Sequence, residues 1–194
     1  MLGLANAGTE SMTRMFSSRV NYWAEFGVDA AFAALLIFAG SRHAGAPWIA
    51  PLALILGLFL FSFIEYFFHR WLFHTRIPLF ERGHRMHHEN PKGYDSLPFF
   101  LPAMVSAGLT ALCLLVMPAR FAFLMMGAAT FGYIVYGLTH FAIHHVRFKQ
   151  PLLMRWAAFH HIHHYHPESN FGVTTPLWDI LLGTRYVRHR SGKT

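Results

Sequence analysis

The stretch EYFFHRWLFH, residues 65–74, closes an apolar run that begins at residue 46. Apart from Glu65, residues 46–68 carry no charge. At 1.5 Å per residue, a helix of that length reaches about 34 Å, which is enough to cross the hydrocarbon core of a bilayer. The run is followed by His69 and His74, so the sequence predicts a membrane helix whose end carries imidazoles.

Other apolar runs extend this pattern along the chain. Residues 97–117 and residues 121–143 are separated by a tight connection and predict a helical hairpin. The shorter run at residues 28–40 contains Asp29 and is either a first span or an interfacial helix. Prolines punctuate residues 150–183, where residues 177–182 predict a short helix that lies on the membrane surface as a cap. The predicted fold is an all-α integral membrane protein with about four transmembrane helices and a cytosolic helical cap.

The composition agrees with a membrane protein and also accounts for the basic charge. Hydrophobic residues make up 54% of the chain and charged residues 13%, which is too apolar for an ordinary soluble domain. Of the 16 lysines and arginines, all but Arg42 and Arg120 lie before residue 21, within residues 69–96 or after residue 145. The positive-inside rule places those segments in the cytoplasm. The formal charge of +7 therefore needs no nucleic-acid partner.

The organisation of the chain is simple. It contains no repeat and no linker, so residues 1–194 predict one domain, with a polar N-terminal segment at residues 1–20 and a basic tail at residues 184–194. The first residues contain no apolar stretch typical of a cleaved signal peptide. We expect a multi-pass protein of the inner membrane in a bacterium, or of the endoplasmic reticulum in a eukaryote.

The histidine content is anomalous, with 15 histidines against 9 acidic residues. Ten of the histidines fall in four clusters: His69 and His74; His84, His87 and His88; His140 and His144; His160, His163 and His164. Spacings of three and four residues place side chains on one helix face, so we expect each of the last three clusters to converge on one point. The five-residue spacing of the first cluster requires a turn or a helix end to align the two rings.

The number of imidazoles predicts two metal ions. Neutral imidazole is a good ligand for iron, zinc and copper, and ten imidazoles shared between two ions leave room for oxygen species. A zinc hydrolase typically uses three protein ligands, and a 2-His-1-carboxylate iron site uses fewer histidines and one acid. Three other histidines stay open: His145 could replace His144 as a ligand, His161 could lie behind a ligand, and His166 is undecided.

Glu65 precedes His69 by four residues, on the same helix face. A carboxylate often orients a metal-bound imidazole by accepting a hydrogen bond from its other N–H, and an acid at the membrane edge is functional by default. We therefore predict that Glu65 orients a bound imidazole; the alternative is an ion pair with Arg70 or Arg76. Four neighbouring aromatic side chains either line a lipid pocket or pack in the core: Phe67, Phe68, Trp71 and Phe73.

Several other residues have plainer interpretations. His43 and His189 are interpreted as interfacial polar residues. Asp179 and Glu168 are predicted to form salt bridges in the cap. The single cysteine, Cys113, lies in an apolar run and is interpreted as a small buried hydrophobe, so a disulfide and a thiolate metal site are both excluded by count.

At the histidine clusters the chain resembles the fatty acid hydroxylase superfamily, which also includes sterol desaturases. The similarity covers about residues 65–186, in EYFFHRWLFH, HRMHHENPKGYDSLPFFLP, YGLTHFAIHH and HHIHHYHPESNFGVTTPLWDILLGT. The order and spacing of the clusters are most similar to the fatty acid 2-hydroxylase branch. The resemblance implies that two ions on the cytoplasmic side are bound by His69, His74, His84, His87, His88, His140, His144, His160, His163 and His164.

The activity implied by this resemblance is hydroxylation of a lipid acyl chain by two iron ions and O₂. A fatty acid or sphingolipid-type substrate attacked at C2 is favoured, and zinc is expected to replace iron readily in purified protein. Electrons would come from a ferredoxin- or cytochrome b5-type carrier and its reductase. The alternative is a sterol or carotenoid hydroxylase or desaturase that uses the same diiron centre.

Two features depart from the 2-hydroxylase pattern. Gly137 stands three residues before His140, where an acid is expected, and the chain has no room for a fused cytochrome b5 domain. Two further readings are weaker. A metal transporter would need polar residues in the middle of its spans, which the three long apolar runs lack, and an inactive scaffold would not be expected to keep every cluster complete.

Overall fold

The computed structural model describes residues 18–74, 78–94 and 96–188. The regular structure of these residues is helical and contains no strand, which confirms the predicted all-α class. The helices are α1 (Arg19–Arg42), α2 (Ile49–Phe67), a π-helix that continues it (Phe68–Phe73), α3 (Pro78–Glu89), α4 (Leu101–Val116), α5 (Ala119–His145), α6 (Pro151–Tyr165) and α7 (Leu177–Leu181). Residues 1–17 of the predicted polar segment and residues 189–194 of the predicted basic tail, with His189, lie outside the described residues.

Helix α5 is the centre of the bundle, with α1 and α2 packed along it and α4 beside it. The contact between α2 and α5 is close because Gly57 has no side chain: a Cβ there would lie 2.2 Å from the carbonyl oxygen of Met125. Helix α4 is joined to α5 by a hydrogen bond between the hydroxyls of Ser106 and Thr130, 2.6 Å apart. These contacts fix the ends of α2 and α5, both of which carry histidines.

Three helices in the described part of the chain are long and apolar enough to cross a membrane: α1, α5, and α2 together with its π-helical extension. Their exposed surfaces are apolar, with Ile55 of α2 64% exposed. Such faces suit lipid rather than water. The chain is therefore a membrane protein.

Helix α4 is shorter than the span predicted over residues 97–117. It has 16 residues and reaches about 24 Å at 1.5 Å per residue. The start of the apolar run is used in a turn, where the Leu101 amide donates to the Pro98 carbonyl. The Phe99 amide also donates to the side chain of Asn21, so these residues join α1 to α4 instead of extending the helix.

Helix α1 begins at Arg19, well before the predicted run at residues 28–40, and is long enough to span. Its first half carries Asn21, Glu25 and Asp29 at four-residue intervals, and these side chains are buried against the bundle with 5%, 3% and 0% exposure. The Glu25 carboxylate accepts a hydrogen bond from Tyr133 of α5. Polar residues that face inward hid the helix from a search for continuous apolar sequence.

The predicted short helix near the C-terminus is present as α7. It starts after Pro176 and ends before Gly183, whose φ of +70° suits glycine. The Trp178 indole N–H donates to the Ser62 hydroxyl of α2 at 3.1 Å, and its ring packs against Phe63 at 4.8 Å. Helix α7 is thus docked against the side of α2 near its histidine-bearing end.

Candidate metal centre

The π-helix at Phe68–Phe73 aligns the two histidines that α-helical geometry could not. A π-helix closes its hydrogen bonds over five residues and often marks a functional site. The rings of His69 and His74 are stacked with centroids 5.5 Å apart. The sequence called for a turn or helix end at this point, and the structure supplies a widened helical turn.

All ten histidines of the four clusters meet in two groups of five. In each group, one ring nitrogen from every histidine lies within 4.8 Å of the corresponding nitrogens of the others. The first group is His69, His74, His84, His88 and His163, and the second is His87, His140, His144, His160 and His164. The two groups lie side by side, since the rings of His88 and His164 are stacked with centroids 4.4 Å apart.

The two H-x-x-H-H clusters each divide between the groups, so the expectation that each converges on one point was wrong for these two. His140 and His144 both enter the second group, as expected. In α3, His84 and His88 enter the first group and His87 the second; in α6, His163 enters the first group and its neighbours at 160 and 164 the second. Residues four apart on a helix differ by about 40° around the axis, whereas residues three apart differ by about 60° in the opposite sense. That divergence lets one helix supply two adjacent sites.

The hydrogen bonds at the back of the rings fix where the lone pairs point. The Nδ1 atom of His69 lies 2.5 Å from the Phe171 carbonyl, and the Nδ1 atom of His163 lies 2.8 Å from the Ser169 carbonyl. A carbonyl oxygen can only accept, so each Nδ1 carries the proton. In a neutral ring, the Nε2 lone pair then points into the group, where a cation would bind it.

Neutral rings are what burial produces here. Burial lowers the pKa of His163 and His164 to about 3 and that of His74 to about 4. Burial also lowers the pKa of His84 and His87, with the neighbouring imidazoles adding to the shift. These side chains are therefore unprotonated at neutral pH, the form in which imidazole binds metal.

The spacing of the ring nitrogens also fits bound metal ions. The Nε2 atom of His84 lies 3.0 Å from that of His74 and 2.9 Å from that of His88. The Nε2 atom of His160 lies 3.0 Å from that of His140 and 3.2 Å from that of His144. Two nitrogens that bind one ion at about 2.1 Å lie about 3.0–3.4 Å apart. The residues present therefore fit a bound metal ion in each group.

The loop between α6 and α7 holds these rings in place, and Glu65 holds the loop. The Glu65 side chain is buried and accepts hydrogen bonds from the Val173 amide at 2.6 Å and the Thr174 amide at 2.9 Å. The hydroxyl of Thr174 donates to the same carboxylate. Glu65 thus reaches the loop that carries the carbonyl partner of His69, rather than contacting the His69 ring as its spacing predicted.

Asp179 performs a similar role from the other side of the loop. It is fully buried and accepts hydrogen bonds from the amides of Phe171 and Gly172, both at 2.8 Å. The predicted salt bridge of Asp179 is therefore wrong. Sequence reasoning missed this role because the partners are backbone amides; the one available signal was an acid that follows a glycine-containing loop, which can form an anion-binding nest.

The other histidines of the described residues, His43, His145, His161 and His166, lie outside both groups. The His145 ring stacks on Phe141 at 3.9 Å, and the His166 ring stacks on Tyr186 at 4.3 Å. His161 contacts the ring of His144 at 5.5 Å, behind the second group. His43 stacks on an aromatic ring at the opposite end of α5.

The structure also shows the contacts of other residues that were singled out in the sequence. Gly137 lies against the ring of Phe26, where a Cβ would come within 2.6 Å of the ring carbons, so a larger residue cannot occupy this position unless Phe26 moves. Phe73 packs on the His84 ring at 5.2 Å. Arg70 contacts Tyr66 rather than Glu65, and the alternative partner Arg76 lies outside the described residues.

Comparisons with known proteins identify the family and several relatives of this chain. The family model described as fatty acid hydroxylase matches residues 54–184. The chain is 34% identical over 146 residues to a fatty acid 2-hydroxylase of Homo sapiens. This alignment covers 69% of this chain and 39% of that protein. The chain is 29% identical over 155 residues to a dihydroceramide fatty acyl 2-hydroxylase of Arabidopsis thaliana, covering 74% of this chain and 64% of that protein.

A solved structure shows the same fold. Full-length scs7p, of which only the hydroxylase domain is visible, matches with a TM-score of 0.74 at 24% identity, covering 86% of this chain and 67% of that one. The chain spans 39% to 64% of the length of the two curated relatives named above.

Proposed function

Because the chain belongs to the fatty acid hydroxylase family, we propose that it is a membrane-bound diiron oxygenase that hydroxylates a lipid acyl chain. The observation that carries the proposal is the meeting of ten imidazoles in two adjacent groups. We assign the first ion to His69, His74, His84, His88 and His163, and the second to His87, His140, His144, His160 and His164. Imidazole accepts several metals, so zinc is expected to occupy the same positions in overproduced protein.

The residues of the chain bind, orient and shield the reacting groups. Two bound iron ions would supply the activation of O₂ that a C–H bond of an alkyl chain requires. The carbonyls of Phe171 and Ser169 keep the His69 and His163 lone pairs directed inward. The ring of Phe171 lies 5.9 Å from the ring of His69 and 5.6 Å from that of His163, and it is 4% exposed, so it excludes water from one side of the site.

The substrate class follows from the relatives. The proteins most similar in sequence include fatty acid 2-hydroxylases and a dihydroceramide fatty acyl 2-hydroxylase, and we propose attack at C2 of a fatty acid or of the acyl chain of a sphingolipid-type molecule. The acyl chain would come from the bilayer along the apolar surface of α2, where Phe67 and Trp71 are each 39% exposed. The site would lie at the cytoplasmic face, as the charge distribution predicts.

The reaction also requires a source of electrons. One oxygen atom of O₂ enters the C–H bond and the other leaves as water, which consumes two electrons and two protons from outside the substrate. We propose a ferredoxin- or cytochrome b5-type carrier as the donor, with its reductase. Exposed Arg82 and Arg85 of α3 lie on the same short helix as three of the histidines and suit an acidic carrier.

Lipid mass spectrometry of cells with and without the gene tests this function. We expect fatty acids released from lipids by hydrolysis to gain one oxygen at C2 when the gene is present. A variant with His163 and His164 both replaced by alanine serves as the matched control and should give no product. Oxygen found only in the sterol or carotenoid fraction would contradict the proposed substrate, and no new oxygenated lipid with an added carrier system would contradict the activity.

A further inference from the structure

A cavity of about 430 Å³ opens beside the first histidine group. It lies between the π-helix that ends α2 and the loop that follows α6. One wall contains a histidine of the first group, His74, and the opposite wall contains the Phe171 ring that covers the group. The cavity is lined by Arg70, Trp71, His74, Pro167, Glu168 and Phe171.

Arg70 is held in this cavity by a directed chain of hydrogen bonds. The Thr184 hydroxyl donates to the Asp179 carboxylate at 2.7 Å. The Tyr66 hydroxyl, 2.9 Å from that of Thr184, therefore donates to it and accepts from the Arg70 guanidinium at 2.8 Å. Tyr66 and Asp179 are fully buried, so this series of hydrogen bonds holds the Arg70 guanidinium in a fixed position.

The guanidinium is also held by aromatic contacts and keeps donors free for a ligand. Its central carbon lies 4.8 Å from the centroid of the Trp71 ring and 6.0 Å from that of Phe171, within the range of cation–π attraction. In residues 18–74, 78–94 and 96–188, no carboxylate forms an ion pair with Arg70. A guanidinium has five N–H donors, and the bond to Tyr66 uses one.

We infer that Arg70 binds the carbonyl oxygen at C1 of the acyl substrate and so selects the carbon that is hydroxylated. This inference rests on the proposed function. C2 is bonded to the carbonyl carbon at about 1.5 Å, so an enzyme that attacks C2 must hold the carbonyl close to its metal centre. Arg70 and His74 line the same cavity, which places a carbonyl-binding group beside a histidine of the first group.

The same chemistry suits two sources of the carbonyl. A free fatty acid would present a carboxylate, which a guanidinium binds through two parallel hydrogen bonds. An N-acyl lipid would present an amide carbonyl, and Glu168 at the cavity wall would accept from a hydroxyl or amide of its head group. Palmitic acid and N-palmitoyl dihydrosphingosine are therefore the two probes that separate these sources.

The test uses Arg70→Gln, Arg70→Lys and the matched control Arg155→Gln. Arg155 is an exposed arginine of α6 and does not line the cavity. Dissociation constants of both probes are measured on the purified, metal-loaded proteins in detergent. The position of the hydroxyl group is measured in lipids from cells that make each variant. Metal content shows whether each variant retains its histidine groups.

We expect Arg70→Gln to weaken binding of at least one probe about tenfold or more, to keep its metal, and to release product with hydroxyl groups at C3 as well as C2. Recovery of palmitic acid binding in Arg70→Lys would identify the carboxylate as the ligand. A loss confined to the N-palmitoyl probe would identify the amide. Arg155→Gln should match the unaltered protein in every measurement.

Two results would overturn the inference. One is unchanged binding and unchanged C2 selectivity in Arg70→Gln while the unaltered protein makes 2-hydroxylated lipid. The other is a loss of bound metal in Arg70→Gln that accompanies its loss of binding, because that would show Arg70 acting only as a support of the histidine groups. Absence of any product from the unaltered protein would instead count against the proposed function.

Discussion

At the scale of single residues, adjacent histidines of one helix belong to different histidine groups. His163 and His164 are adjacent in α6, yet His163 belongs to the first group and His164 to the second. We expect His163→Ala and His164→Ala each to lower the metal content from about two ions per chain to about one, because each removes a ligand from one site only. Metal analysis of the purified, folded variants measures this.

The same helix region provides the matched controls. His161→Ala and His166→Ala remove imidazoles that lie outside both groups and should leave about two ions per chain. Loss of both ions in either single variant at position 163 or 164 would show that the two groups do not fill independently. One ion or fewer per chain in the unaltered folded protein would contradict the two-metal assignment.

The histidines themselves could be found from the sequence, because their spacing is visible without a structure. Their division into two groups could not, since it depends on where α3 and α6 lie relative to α2 and α5. The hydrogen-bond partners of the Nδ1 atoms could not be predicted from the sequence either. The carbonyls of Phe171 and Ser169 belong to the backbone, which every residue possesses, so no residue type marks them.

At the scale of helices, the predicted span at residues 121–143 agrees closely with α5 (Ala119–His145), and residues 46–68 agree with α2. These helices are apolar on most of their surface, so composition identifies them. Helix α1 was predicted too short because its first half carries the polar residues Asn21 and Glu25, which face inward. Helix α4 was predicted too long because apolar residues before Leu101 lie in a turn.

The contact between α2 and α5 carries a prediction at this scale. In Gly57→Ala, the new Cβ would lie 2.2 Å from the Met125 carbonyl and 2.8 Å from the Ala128 Cβ, so the two helices must separate. We expect a loss of about 1–3 kcal/mol in the free energy of unfolding, as overpacked sites typically show. We also expect less bound metal, because the π-helix that continues α2 carries His69 and α5 carries His140. Thermal unfolding in detergent and metal analysis measure the two effects.

Gly108→Ala in α4 is the control for this change. A Cβ at Gly108 meets nothing within 4 Å, and replacing a glycine inside a helix with alanine is expected to stabilise the helix by about 0.5–1 kcal/mol. A stability of Gly57→Ala equal to or above that of Gly108→Ala would contradict the close packing of α2 on α5.

At the scale of the whole molecule, the charge distribution predicts which side of the membrane each segment faces. We expect residues 69–96 and the segment after His145 to share the cytoplasmic side. The test uses a Cys113→Ala background, which removes the natural cysteine. Glu89→Cys, Arg188→Cys or Ala44→Cys, all at exposed positions, is then introduced singly. An impermeant thiol reagent applied to intact cells should label only the variant at position 44.

Labelling of just one of the variants at positions 89 and 188 would contradict the shared side of these segments. It would also show that the 16-residue helix α4 does not cross the bilayer as the first half of a hairpin. Labelling of both, with none at position 44, would reverse the orientation and place the histidine groups on the outer side.

The loop between α6 and α7 has a consequence for how the protein matures. The carbonyl that holds His69 lies 102 residues further along the chain, and the amides held by Glu65 lie 108 and 109 residues further. In synthesis from the N-terminus, α1, α2 and α5 are therefore made before the parts that orient the first histidine group. We expect correct loading with metal to be a late event, because a nascent chain halted after Tyr165 would hold every histidine of both groups without the loop that directs them.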